Sequence, residues 1–173
     1  IKILVLGMVF FAGTGVAFAS TSINTNALDL PTFRARNHTD LGPCVDACGW
    51  STSINADAAE TVSVIIYYHN SGDEVADNMT VKIGGTDGGE IDTATTVTLT
   101  GTVDADNASP STGSATIHLS SAQSMSYIDN TLIYYPDQGD TYYSLSDANL
   151  FTTGASLGDI GTGWTHQGTV VAK

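Results

Sequence analysis

The run TVSVIIYYHNSGDEVADNMTVKI at residues 61–83 carries the clearest structural pattern in the sequence. In its first half, Val62, Val64, Ile66 and Tyr68 alternate with Ser63, Ile65, Tyr67 and His69. Successive side chains of a strand point to opposite faces, so this period of two, carried by β-branched and aromatic residues, predicts a strand. Asn70, Ser71 and Gly72 then interrupt it with turn formers. A second alternating run sets Met79, Val81 and Ile83 against Asn78, Thr80 and Lys82. Together they read as a central hairpin whose apolar faces need a partner sheet, which predicts a sandwich.

The rest of the chain repeats this grammar. Residues 30–37, 50–56, 93–103, 114–120, 125–135, 141–145, 150–152 and 165–172 read as further strands, separated by turn-rich breaks such as GGTDGG at 84–89. Val97, Leu99 and Val103 are predicted inward, as are Ala115, Ile117 and Leu119. Arg34 and Arg36 share a parity with Thr32, opposite Phe33 and Ala35, which predicts a solvated strand face. Residues 104–113 and 158–163 read as loops. The expected fold is all-β, a sandwich of about 8–10 short strands. No repeat of about 20–50 residues is visible, so a single module is expected. The domain plan is an apolar segment at 1–19, an extended arm with a cysteine loop at 20–49, and the sandwich at 50–173.

Charge narrows the partners. Five Lys and Arg stand against 18 Asp and Glu, a net charge of −13 over 173 residues. So acidic a surface repels phosphate backbones and excludes nucleic acid as the expected partner. The remaining polarity is Thr, Ser, Asn and Gly, which suits strands and turns better than helices.

Residues 1–19, IKILVLGMVFFAGTGVAFA, are almost wholly apolar after Lys2 and end in Ala17-Phe18-Ala19 before Ser20. Such a small-x-small ending reads as a secretory signal. The competing reading is a segment retained for assembly. Nineteen residues interrupted by Gly7, Gly13 and Gly15 are marginal for spanning a bilayer as a helix. A type IV pilin is disfavoured, since position five is Val5 rather than Glu and no long amphipathic helix follows. Either reading places the chain outside the cytoplasm, secreted or on the cell surface. Cys44 and Cys48, in GPCVDACGW, are then expected to close a local disulfide. Free thiols are the alternative; a metal site would need more ligands than nearby His38 supplies.

No nucleophile elbow, zinc-protease or phosphate-loop pattern is present, and His38, His69, His118 and His166 are scattered, so no catalytic residue is expected. The weak metal candidates are calcium ligands: Asp104, Asp106 and Asn107 in one loop, Asp137 and Asp140 in another. Neither loop has the EF-hand spacing, and acidic solubilising loops are the plainer reading. Asn37, Asn78 and Asn107 begin glycosylation sequons. The pairs Tyr67-Tyr68, Tyr134-Tyr135 and Tyr142-Tyr143 should each send one ring inward and leave one free. With Trp50 and Trp164, the free rings are candidates for stacking on a sugar.

The core run resembles the immunoglobulin-like repeats of bacterial and archaeal surface proteins, including CARDB-type adhesion-related domains. The resemblance is carried by Asn70 and Gly72, then Ala76 and Asn78, then Thr80 and Val81, and by the closing LGDIGTGWTHQGTVVAK. It covers residues 50–173 and implies an immunoglobulin-like sandwich acting as a spacer, adhesin or fibre subunit without a shared active site. The expected function is therefore a non-enzymatic subunit that assembles with itself, by edge-strand or N-terminal segment exchange, into a surface filament or layer. A secreted module that adheres to cell-surface glycans is the alternative. No cofactor is expected beyond the calcium candidates.

Overall fold

The computed structural model describes residues 20–41, 48–137 and 141–173. These form β1 (Phe33–Asn37), a single helical turn α1 (His38–Leu41), β2 (Ser53–Ala56), β3 (Val62–His69), β4 (Ala76–Gly84) and β5 (Glu90–Asp104). The series continues with β6 (Ser111–Ser126), β7 (Ile133–Pro136), β8 (Tyr143–Ser144), β9 (Ala155–Ile160) and β10 (Gln167–Ala172). Two five-stranded sheets result, in the orders β1-β3-β10-β7-β8 and β2-β6-β5-β4-β9. The expected all-β sandwich is the fold.

The expected central hairpin is not formed. β3 lies between β1 and β10 in one sheet, and β4 lies between β5 and β9 in the other. Residues 70–75 therefore arch between the sheets. Asn70 holds this arch: its fully buried amide donates to Glu74 O at 2.7 Å and Ile160 O at 3.1 Å, and its Oδ1 accepts from Gly72 N at 3.1 Å. Alternation reports which faces a strand has, and it is silent on which strand lies beside it.

The core is the layer between the sheets. Phe33 and Ala35 of β1, Val64, Ile66 and Tyr68 of β3, and Val170 of β10 face Met79, Val81, Val97, Leu99, Val103, Ala115 and Ile117. The inward triplets predicted on β5 and β6 are all buried. The layers come close where Phe33 lies on the facing pair Gly101 and Gly113. A Cβ at Gly101 would fall 2.8 Å from Phe33 Cγ, and one at Gly113 only 2.7 Å from Phe33 N.

Both faces of β3 are buried, so its outer face is covered as well. At its His69 end the cover is the chain's own N-terminal arm, and at its other end His38 of α1 meets Ser63. Ile23 is 3% exposed and bridges Asn70, and Ser22 O and Ser20 O accept from Ser71 N and Asp73 N at 2.9 and 3.1 Å. Gly72 makes room for the passage, since a Cβ there would lie 2.6 Å from Ser22 N. The predicted solvated face of β1 is likewise not solvated. Arg36 is 2% exposed, with its guanidinium 5.6 Å from the centre of the Trp50 ring, and Arg34 is half-buried. Strand parity was right at both positions; the extra covering layer is what it could not show.

Two smaller expectations also change. Residues 150–152 form a turn rather than a strand, with Leu150 fully buried as a plug against the core. The stretch from Gly158, read as loop, is half strand: β9 pairs with β4, and the register shifts around Met79 opposite Gly158. Asn78 and Gly158, at φ of 51° and 77°, take the left-handed conformation that this irregular pairing requires.

Candidate assembly site

At one end of the sandwich the arm is pinned by a buried polar cluster. Asn24, itself left-handed at φ 53°, offers its side chain where a neighbouring strand's backbone would be. Its amide donates to Tyr67 O at 2.9 Å, and its Oδ1 accepts from His69 N at 2.7 Å. Asp29 then reaches His69 Nδ1 at 2.6 Å, both side chains less than 5% exposed. Tyr67 Oη lies 3.1 Å from the same Asp29 oxygen and 2.9 Å from Gln167 Oε1. Burial, reinforced by the Asp29 charge, drives the Tyr67 phenol far above its usual range. Trp164 stacks on the imidazole with ring centres 4.2 Å apart. Asn24 and Asp29 of the arm thus hold Tyr67 and His69, which makes the cluster a latch, and His69 Nε2 is left buried without a hydrogen-bond partner among the described residues.

The opposite end is open. A cavity of about 310 Å³ lies between the sheets, floored by Val62, Val64, Ile83, Leu99, Leu119 and Ala172. Its sides are Ile91, Phe151 and residues 123–128, and its mouth carries Asp57, Glu60 and Lys173. Strand lengths explain the opening. β2 pairs with β6 only from Thr116 to Leu119, whereas β6 runs on to Ser126 against β5. Beyond Leu119, among the described residues, no strand lies on the β2 side of β6. A free strand edge therefore borders an apolar cavity, and unpaired backbone groups beside apolar surface are what an added strand satisfies.

At the same mouth, Glu60 accepts from Asp57 N at 2.6 Å and Asn37 Nδ2 at 2.7 Å. Those bonds hold its carboxyl below the ordinary range, the backbone bond foremost. Asp40 goes the other way, raised because its protonated form hydrogen-bonds Glu60 and its charged form is repelled by it.

The aromatic pairs do not divide as alternation predicts. Tyr67 and Tyr68 are both buried, Tyr134 and Tyr135 are both partly buried, and Tyr142 and Tyr143 are 62% and 56% exposed. Tyr67 is buried because the arm covers it. Tyr68 Oη bonds Tyr134 Oη at 2.8 Å, and Tyr134 and Tyr135 approach Tyr143 and Tyr142 with ring centres 6.4 and 5.8 Å apart. Among the described residues, the β8 edge of the first sheet is thus a tyrosine ladder ending in solvent.

The remaining candidates are dispersed. Asp106 accepts from Asn78 Nδ2 at 2.8 Å, and Asp104 Oδ1 accepts from Ala105 N at 3.0 Å. Asp137 lies after β7 in the other sheet, and Asp140 is outside the described residues. Among the described residues no group of three or more His, Cys, Asp and Glu is placed to hold a metal ion. Asn78 and Asn107 are exposed, but Asn37 is 6% exposed and its amide nitrogen is bonded to Asp40, Glu60 and Asn55 O. Cys48 is disulfide-bonded, while Cys44 and residues 1–19 lie outside the described residues. The four histidines do not converge: His69 is in the latch, His38 is near Lys173, and His118 and His166 are exposed. Sequence reasoning missed both the latch and the cleft. A lone Asp29 in a polar arm gave no sign of its partner, and the strand read at 114–120 matches 50–56 in length, so the run of β6 on to Ser126 that opens the cleft carried no signal. Among the described residues no helix is long and apolar enough to cross a membrane. No family model matches the chain, and comparison with curated proteins and with solved structures gives no match.

Proposed function

We propose that this chain is a non-enzymatic structural subunit that polymerises outside the cell into a filament or surface layer. The observation that carries the reading is the incomplete sheet at the open end, where the free edge of β6 borders an apolar cavity. Exposed strand edges are a liability that folded proteins cover, and one set beside an apolar cleft is suited to accept a strand from a neighbour. The bonded Cys48 and the apolar start of the chain fit an exported protein. The test is the state of the full chain, followed by light scattering and electron microscopy over a concentration series. Ordered polymers of regular repeat are expected; a chain that stays monomeric at the highest concentration refutes the reading.

The exposed ladder of Tyr142 and Tyr143 favours a second reading, adhesion to cell-surface glycans, because free tyrosine faces stack on sugar rings. Glycan binding by monomer, lost on Tyr142→Ala with Tyr143→Ala, would establish it.

A further inference from the structure

Resting on the polymer reading, we infer that the open cleft accepts the apolar segment 1–19 of a second copy, laid as a strand along the free edge of β6. Four observations converge on this occupant. The first is capacity. A cavity of about 310 Å³ is roughly twice the ~150 Å³ that holds one benzene ring, which leaves room for two or three aliphatic or aromatic side chains. Alternate residues of one strand, spaced ~6.6 Å apart, deliver side chains in that number along a single edge.

The second is sequence. The stretch ILVL at residues 3–6, followed by MVFF at 8–11, is apolar at both parities, so either face of a strand built from it can enter the cavity. No other stretch of the chain outside the described residues has this character: GPCVDA at 42–47 and QGD at 138–140 are short and largely polar. The third is charge. The only charged side chain of the segment is Lys2, and the mouth of the cleft presents Asp57 and Glu60 against the one cation Lys173, which leaves the rim acidic.

The fourth is direction. Ser20, where the segment joins the arm, bonds Asp73 just beyond the His69 end of β3, whereas the cleft opens at the Val62 end. Eight residues of strand separate the two ends, about 23 Å at ~3.3 Å per residue. A segment leaving one end and a receptor at the other make a head-to-tail contact, which is heterologous and propagates as an open fibre wherever its rotation does not close a ring. The pairing also removes the free edge of β6 from solvent in every copy but the last.

Disulfide trapping in the full chain tests this. Leu4→Cys and Val5→Cys, one for each strand parity, are each combined with Met125→Cys, and the products are read by mass after mild oxidation. A ladder of covalent oligomers from one of the two pairs is the expected result. A cross-linked monomer overturns the inference, because the segment then fills its own copy's cleft. Polymers that form with no cross-link in either pair overturn it while leaving the polymer reading intact, and a chain that never polymerises removes both. Amide hydrogen exchange of the unaltered protein guards against variants that misfold: residues 123–126 should slow by about tenfold or more between monomer and polymer. Unchanged exchange there, or native protein whose mature chain begins at Ser20, also overturns it.

Discussion

Gly101→Ala is expected to destabilise the sandwich, although in most strands adding a methyl to a glycine helps. Gly101 sits in regular strand opposite Gly113, so the backbone itself admits alanine. Loss of unfolded-chain freedom alone would then stabilise the variant by ~0.4–1 kcal/mol. The new Cβ, however, would overlap Phe33 Cδ2 outright and lie 2.8 Å from Cγ and 2.9 Å from Cε2, where carbon atoms ordinarily rest ~3.5–4.0 Å apart. Phe33 is fully buried and its own backbone is held by β3, so the ring can retreat only by prising the sheets apart by about 1 Å. Overpacking of this kind costs about 1–3 kcal/mol and outweighs the entropy gain. The net loss should be about 1–2 kcal/mol, a fall in Tm of about 2–8 °C for a chain of this size. Urea unfolding of wild type, Gly101→Ala, Phe33→Leu and the double variant measures it. Leucine leaves a gap that the alanine methyl partly fills, so the double variant should lose less than the sum of the singles, by about 0.5 kcal/mol or more. Equal or greater stability for Gly101→Ala, or strict additivity, would refute the picture of sheets in contact through Phe33.

Asp29→Ala should cost about 1–3 kcal/mol, because it leaves the buried His69 Nδ1 without its partner while the Tyr67 hydroxyl keeps Gln167 Oε1; limited proteolysis should then cut within residues 20–32 while the sandwich stays folded. Tyr67 and Tyr68 both have phenols pushed up by burial, so their contribution is complete below the unfolded pKa of about 10 and is lost as pH rises above it. Ultraviolet titration should show those two rings ionising only with alkaline unfolding, and a smooth titration of all seven tyrosines in folded protein would contradict it. At the cleft mouth, NMR titration should find Asp40 above and Glu60 below the ordinary carboxylate range, with Asp40 returning toward normal in Glu60→Gln. The Glu60 contribution to stability is present above its unfolded pKa and fades as pH falls through its folded value, whereas that of Asp40 runs in the opposite sense.

The strands themselves were legible because alternation is a local signal. The inward positions on β3, β4, β5 and β6 could be read from residue types alone. What a strand sits beside is not local. The β3–β4 arch depends on one buried asparagine whose partners lie up to 90 residues away, and nothing near Asn70 marks the difference between an arch and a hairpin. The outer face of the first sheet failed for a related reason. Ser63, Tyr67, His69 and Arg36 look like a solvated or half-polar face until a third layer, the arm and Trp50, is laid over them. β9 was hidden because ASLGDI carries few apolar residues and a left-handed glycine, and Leu150 with Phe151 drew the strand reading to the turn before it. The cleft is a property of unequal strand lengths in three dimensions, and only the extent of β6 past β2 exposes it.

The course of the arm has a mechanical consequence. From Ser20 the chain runs antiparallel to residues 70–73 and then re-enters the sheet as β1, again antiparallel to β3. A pull on Ser20 along the strand axis therefore slides the arm and β1 lengthwise against β3, loading their hydrogen bonds together in shear. Unzipping would break the same bonds one after another under a much smaller load. Tension entering at one end of the sandwich and leaving at the other meets it along its strongest axis, and force spectroscopy through Ser20 should find a single high rupture event that Asp29→Ala lowers.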